Sequence, residues 1–152
     1  MAGNKPKIDG VFKLIFLTWM IGMIFLMAGC ASVSPSQKNN VHEIADTWGI
    51  EITSVRMSAG GHMIDFRYRV LDAEKAASLF VRSNKPYLID QKSEKVLSVP
   101  NMGKVGPLRN SNKPIEGRIY WMFFGNSGGY VQAGSLVTVT IGDFRVENIV
   151  VQ

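Results

Sequence analysis

The fold of this chain is decided in residues 62–70, which read HMIDFRYRV. Apolar and polar side chains alternate along this stretch, so two sets of residues fall on opposite faces. One face carries His62, Ile64, Phe66, Tyr68 and Val70, and the other carries Met63, Asp65, Arg67 and Arg69. A repeat of two residues is the pattern of a β-strand with one buried face. The stretch therefore predicts a strand whose first face belongs to a core.

The preceding residues 50–57 also read as a strand, but their apolar phase slips between Ile52 and Val55. A slip of one residue is the mark of a β-bulge, and we expect the bulge near Thr53. The small residues 59–61, Ala-Gly-Gly, separate this strand from the next one and supply a turn. The two strands are therefore predicted to form a hairpin.

The rest of the chain continues as short apolar segments separated by turn residues. The remaining predicted strands are residues 87–89, 96–99, 119–124, 136–141 and 144–151. The polar residues 90–95 join the first two of these strands, and Gly142-Asp143 joins the last two, so each pair is a predicted hairpin. The strand at 119–124, IYWMFF, is apolar on both faces, which is typical of a central strand covered on two sides.

About seven short strands with frequent turns and little helix predict an all-β fold, an immunoglobulin-like β-sandwich of antiparallel strands. The last 22 residues, VQAGSLVTVTIGDFRVENIVVQ, resemble the closing hairpin of immunoglobulin-like domains. The chain has one cysteine, so the disulfide-centred core of true immunoglobulin domains is absent from the sequence. Beyond this architecture, residues 48–152 resemble no characterised family.

The N-terminal part has the layout of a secretory signal. Lys5, Lys7 and Lys13 precede an uncharged, mostly apolar run at residues 14–27. As a helix, this run would extend about 21 Å. Because the hydrocarbon core of a bilayer is roughly 30 Å thick, a cleaved signal is favoured over a spanning helix.

The apolar run ends in LMAGC at residues 26–30, which resembles the lipobox of bacterial lipoproteins. The resemblance implies cleavage between Gly29 and Cys30 and a lipid thioether on Cys30. Ala31 after the cysteine implies sorting to the outer membrane, facing the periplasm. Two alternatives stay open: an uncleaved helical anchor that extends to Val33, and an ordinary secretory signal with an incidental cysteine.

This reading divides the chain into three parts: a signal peptide at 1–29, a lipidated N-terminus with a flexible tether at 30–47, and the sandwich at 48–152. The Ser, Pro, Gln and Asn content of residues 31–40 predicts flexibility, because such residues bury too little apolar surface to offset ordering entropy. Val41, Ile44 and Trp48 then follow at helical spacing and predict a short turn at the entrance to the domain.

The charge balance argues against a nucleic-acid partner. The whole chain has 17 basic and 12 acidic side chains, and residues 30–152 keep 14 and 11 of them, a net charge of +3 without a basic block. The predicted partners are a membrane, reached through the lipid anchor, and another envelope protein. We expect a binding or structural role.

The sequence shows no catalytic motif, so we predict neither an enzyme nor a cofactor. A Ser–His–Asp site needs a histidine, and the chain has only His42 and His62. His62 is on the apolar phase of its strand, which predicts packing at the strand end. The alternative function is periplasmic copper or zinc handling at His62, with Met57 or Met63 as soft ligands.

Other candidate positions are interpreted as structural. Asp65 lies beside Arg67 and Arg69 on the polar face, which predicts cross-strand ion pairing. Asp143 follows a glycine in a turn and needs no function. The glycines at 103–106 lack the ending and the strand-to-helix context of a phosphate loop, which favours a surface loop.

A binding surface, if the domain has one, is expected on the loops. The candidates are residues 100–117, rich in Gly, Pro and Asn, and residues 125–130. Tyr130 is the aromatic residue that could serve such a surface, although the favoured interpretation places Tyr130 and Trp121 in the core. Asp72 is expected to cap a short helix at 73–77.

Overall fold

The computed structural model describes residues 35–110 and 112–152, with side chains from Val41 onward. The predictions on Gly29, Cys30 and the first residues of the tether lie outside the described residues. Residues Pro35–Gln152 form one compact unit. Within this range no helix combines the length and the apolar composition that crossing a membrane requires.

The described elements are one α-helix, nine strands and two short 3-10 helices at Ala59–Gly61 and Lys75–Phe80. In chain order they are α1 (Pro35–Trp48), β1 (Ile50–Ser58), β2 (Met63–Val70), β3 (Pro86–Asp90), β4 (Val96–Ser98), β5 (Asn101–Met102), β6 (Gly106–Pro107), β7 (Ile119–Gly125), β8 (Leu136–Ile141) and β9 (Phe144–Val150).

The strands form an all-β sandwich, as predicted. One sheet has the order β1-β2-β7, the other has the order β4-β3-β8-β9, and all neighbours within them are antiparallel. Buried side chains from both sheets join one hydrophobic cluster. A three-stranded sheet facing a four-stranded one, with the chain crossing between them, is an immunoglobulin-like arrangement. The short strands β5 and β6 form a separate ribbon inside the loop predicted at 100–117.

The first hairpin confirms the alternation argument. Ile64, Phe66, Tyr68 and Val70 of β2 are all buried. The register between β1 and β2 shifts between Ile52 and Ser54, so the bulge is at the predicted place. The hairpins β3–β4 and β8–β9 also pair as predicted.

The position of β7 differs from the prediction of a central strand. In the three-stranded sheet the central strand is β2, and β7 pairs on its other side with a loop segment: the Phe123 N–H donates to the Leu108 carbonyl at 3.0 Å. One face of β7 is fully buried, while Trp121 and Phe123 on the other face are partly buried and Ile119 is 44 % exposed. The apolar side chains on the outer face of β7 are therefore only half-covered, and no second sheet or helix layer packs on them in the described residues.

Helix α1 differs from the predicted tether. Residues 35–40, expected to be flexible, form the first turns of a helix that runs to Trp48. Ile44 of this helix is buried, and the Trp48 ring meets the Phe144 ring of β9 edge to face at 5.4 Å. Ile44 and Trp48 are four positions apart and therefore share one face of the helix. The packing of this face stabilises the helix, whose polar composition alone would predict a flexible segment.

Tyr120 bonds to the loop before β7 and packs against the second 3-10 helix, at the end of the sandwich opposite the β1–β2 turn. The Tyr120 hydroxyl donates to the Lys113 carbonyl at 2.8 Å and accepts the Ile115 N–H at 2.9 Å. Its ring packs edge to face on Phe80, with centroids 4.7 Å apart. Phe80 ends the 3-10 helix Lys75–Phe80. In the turn before this helix, the Asp72 carboxylate accepts the Glu74 N–H at 2.9 Å and the Lys75 N–H at 3.1 Å. Asp72 thus binds main-chain N–H groups as predicted, but the helix is a 3-10 helix that begins at Lys75, and the N-cap position is Glu74, not Asp72.

Candidate functional site

His62 is not packed at a strand end, so that prediction is wrong. Its side chain is exposed, and β2 begins one residue later, at Met63. Gly60 and Gly61 take φ values of +64° and +90°, and the His62 N–H closes this turn on the Ala59 carbonyl. The alternation therefore starts after His62. Among the residues that the structure describes, no three His, Cys, Asp or Glu side chains are grouped to hold a metal ion.

Asp65 is the buried centre of an ion-pair cluster on the outer face of the β1-β2-β7 sheet. Its carboxylate lies 3.3 Å from the Arg56 guanidinium of β1 and 3.0 Å from that of Arg67. The predicted cross-strand pairing is confirmed, and the partner on the neighbouring strand is Arg56. Arg69 does not contact Asp65 but pairs with Glu51 at 3.1 Å. The cluster is structural, since both oxygens of the carboxylate are engaged by protein donors.

Replacing Asp65 by asparagine is expected to lower the free energy of unfolding by about 1–2 kcal/mol, because a buried charge-assisted contact is lost and two cations are left together. The arginine side chains are 53 % and 41 % exposed, which screens part of the effect. Glu51→Gln is the matched control: both partners of the Glu51–Arg69 pair are 44 % exposed, and we expect a change within about 0.5 kcal/mol. Urea unfolding measures both variants, and equal losses would contradict a special role for Asp65.

The loop that follows β7 presents an exposed aromatic ring. Tyr130 is 50 % exposed, so its expected place in the core is wrong, whereas Trp121 is partly buried. The Lys95 ammonium lies 5.5 Å from the centroid of the Tyr130 ring. Gly128 leaves the space beneath this ring, since a Cβ atom there would collide with it. The ring is thus folded back against its own loop.

The remaining sequence candidates lie in exposed turns. Gly103 and Gly106 flank the turn of the β5–β6 ribbon and have φ values of +41° and +84°, which suits a tight turn. Asp143 is exposed in the turn between β8 and β9. The glycines and Asp143 therefore occupy surface turns, as the sequence predicted.

Burial changes the proton affinity of two side chains near the Tyr120 loops. Burial raises the pKa of the Tyr68 phenol above its ordinary value, with a smaller opposing influence from Arg109. Burial also lowers the pKa of the Arg109 guanidinium, which donates to the Asn84 carbonyl at 2.8 Å. The Arg109 guanidinium, through its bonds to main-chain carbonyls, positions the loop after the 3-10 helix.

A groove lies between α1 and β9, and sequence reasoning missed it. This groove holds about 250 Å³. It is lined by Glu43, Ile44, Thr47, Trp48, Arg145, Val146, Glu147 and Asn148. The spacing of Ile44 and Trp48 indicated a helical turn, but no local pattern shows that the helix would pack beside β9.

The groove is polar and carries mixed charge. The Arg145 guanidinium pairs with the Glu147 carboxylate at 2.7 Å, both on β9. Glu43 of α1 makes no ion pair with the described residues. The lining offers two carboxylates, a guanidinium, the Thr47 hydroxyl and main-chain groups as polar contacts for a ligand.

The chain matches no protein-family model, and neither a curated protein nor a solved structure matches it significantly. The residues of this chain therefore carry the functional argument by themselves.

Proposed function

We propose that this protein is a lipid-anchored protein of the bacterial cell envelope that acts by binding another molecule. The observation that carries the proposal is LMAGC at residues 26–30, which places the single cysteine of the chain directly after an apolar run. Lipidation at Cys30 accounts for a lone cysteine in an exported protein, because the thioether consumes the thiol. The groove between α1 and β9 supports the binding role.

The anchor would consist of a diacylglyceryl thioether on Cys30 together with an acyl chain on its new amino group. Several chains are needed, since one acyl chain gives only marginal, reversible membrane binding. Ala31 in the following position is the basis for proposing the outer membrane, with the sandwich facing the periplasm.

The intact mass of protein extracted from its native membrane tests the anchor. We expect the mass of residues 30–152 plus lipid. The mass of all 152 residues would overturn cleavage and indicate a retained helical anchor.

Replacing Cys30 by alanine is expected to abolish lipid attachment and leave unprocessed precursor in the membrane fraction, because the modified sulfur is absent. Ser32→Ala is the matched control, since it changes a residue beyond the cleavage point and should be processed normally. Immunoblotting of the two variants separates precursor from mature chain. Normal processing of Cys30→Ala would contradict the lipoprotein assignment.

A further inference from the structure

Strand β9 ends the four-stranded sheet and has β8 as its only strand neighbour there. Outside the β8–β9 ladder, no backbone hydrogen bond joins residues 144–150 to the rest of the described chain. The second edge of β9 is therefore without described partners from Phe144 to Glu147. Beyond this stretch the register between β8 and β9 shifts and Asn148 takes a φ of +59°, so a bulge ends the regular row of main-chain donors and acceptors. Such an edge can pair with a further strand.

The direction of these groups follows from the hairpin. A two-residue turn, Gly142-Asp143, makes Ile141 and Phe144 the closing pair, and a closing pair exchanges both of its main-chain hydrogen bonds. Alternation along β9 then turns the N–H and C=O of Arg145 away from β8. Arg145 is also one of the residues that line the groove.

Strand β1 bonds to the chain on this edge only after the end of β9. There Gln152 bonds to β1, donating to the Val55 carbonyl and accepting the Met57 N–H, both at 2.9 Å. Beside Arg145 and Glu147 the neighbour is α1, whose side chains line the opposite wall of the groove. An open strand edge is a place at which proteins add an extended peptide as a further strand.

We propose that this groove binds an extended peptide segment of a partner protein, which adds to β9 as a further strand. The outward main-chain groups of β9 before the bulge select a short extended backbone, because only a strand presents donors and acceptors at the same repeat. Glu43 favours a basic side chain in the peptide, since Arg145 and Glu147 already neutralise each other. This inference rests on the binding role proposed above and is independent of the lipid anchor, so peptide binding and intact mass can fail separately.

Hydrogen exchange of the full chain in nonionic detergent, followed by NMR, tests the edge first. The Arg145 N–H should exchange at least about 100-fold faster than the Phe144 and Val146 N–H groups, which face β8. Protection of Arg145 at every protein concentration would mean that another part of this chain already pairs with the edge. Protection that increases with protein concentration would mean pairing with a second copy. Either result would overturn the proposal.

A peptide titration then tests the occupant. The probe is a blocked peptide of about eight residues that alternates valine with threonine and lysine. We expect it to slow exchange of the Arg145 N–H at least about tenfold and to shift resonances of α1 and β9 only. The absence of protection at millimolar peptide would overturn strand addition.

Two variants at one position separate main-chain recognition from side-chain recognition. Arg145→Pro removes the outward N–H but no ladder hydrogen bond, and proline is tolerated at such an edge. It should weaken peptide binding about tenfold, the loss expected for one hydrogen bond. Arg145→Ala removes the same guanidinium but keeps the N–H, so the ratio of the two affinities isolates the N–H, and we expect Arg145→Ala to bind the peptide about tenfold more tightly than Arg145→Pro. Equal affinities for the two variants would contradict strand addition, and a peptide N-methylated along one edge checks the same point without altering the protein.

Discussion

Replacing Gly49 by alanine is expected to lower the free energy of unfolding by about 3 kcal/mol, through positive-φ strain together with overpacking. Gly49 ends α1 with φ +61° and leads directly into β1. A Cβ atom there would be 2.7 Å from the Asp72 carbonyl oxygen and 2.9 Å from the Lys75 Cβ. The carbonyl is backbone and cannot rotate aside. The glycine oxygen also accepts the N–H groups of Leu71 and Asp72, so the displacement would reach the end of β2.

Gly129→Ala is the matched control, because Gly129 has nearly the same φ, +63°, but nothing within 4 Å of its added Cβ. This variant carries the backbone strain alone, about 1 kcal/mol. Urea unfolding followed by tryptophan fluorescence compares the two, and Trp48 beside Gly49 reports directly on the helix. Equal losses in both variants would show that close contact with Asp72 contributes nothing.

Asn126→Ala is the second large effect, a loss of about 3 kcal/mol, because the substitution leaves several buried main-chain groups without partners. The side chain is 1 % exposed. Its amide group donates to the carbonyls of Gly61 and Val131, each at 2.8 Å, and its oxygen accepts the Val131 N–H at 3.1 Å. One side chain thus ties the loop after β7 to the turn before β2.

Asn112→Ala is the control for this prediction, since Asn112 is exposed and its substitution should change stability by no more than about 0.5 kcal/mol. Urea unfolding again provides the measurement. Hydrogen exchange adds a local test: the Val131 N–H should lose protection in Asn126→Ala. A loss below about 1 kcal/mol would mean that the loop re-forms its contacts without the amide.

The parts of the fold that the sequence predicted are those governed by local repeats. The alternation after Met63, the slip near Thr53 and the glycine turns each depend on a few neighbouring residues, and each is confirmed. The ion-pair role of Asp65 was predicted for the same reason, since its partners lie on the same strand or on the strand joined by a short turn.

The errors occur where a distant segment decides the environment. Tyr130 is apolar enough for a core, but the loop that Asn126 anchors holds it outside. Residues 35–40 have the composition of a tether, yet the helix they begin packs through Ile44 and Trp48. The strand β7 looks central by composition, but the chain places β2 in the middle of its sheet.

The amino-acid sequence alone determined the β-strands, their hairpins and the sandwich class, because side-chain alternation and turn residues act over short distances along the chain. It also supplies the proposed lipidation site at Cys30, since that signal is a contiguous motif. Only the tertiary structure decided that α1 lies beside β9, leaving a groove next to an open strand edge. The helix and the strand are separated by about a hundred residues of sequence, and their juxtaposition depends on how both sheets close around the common core.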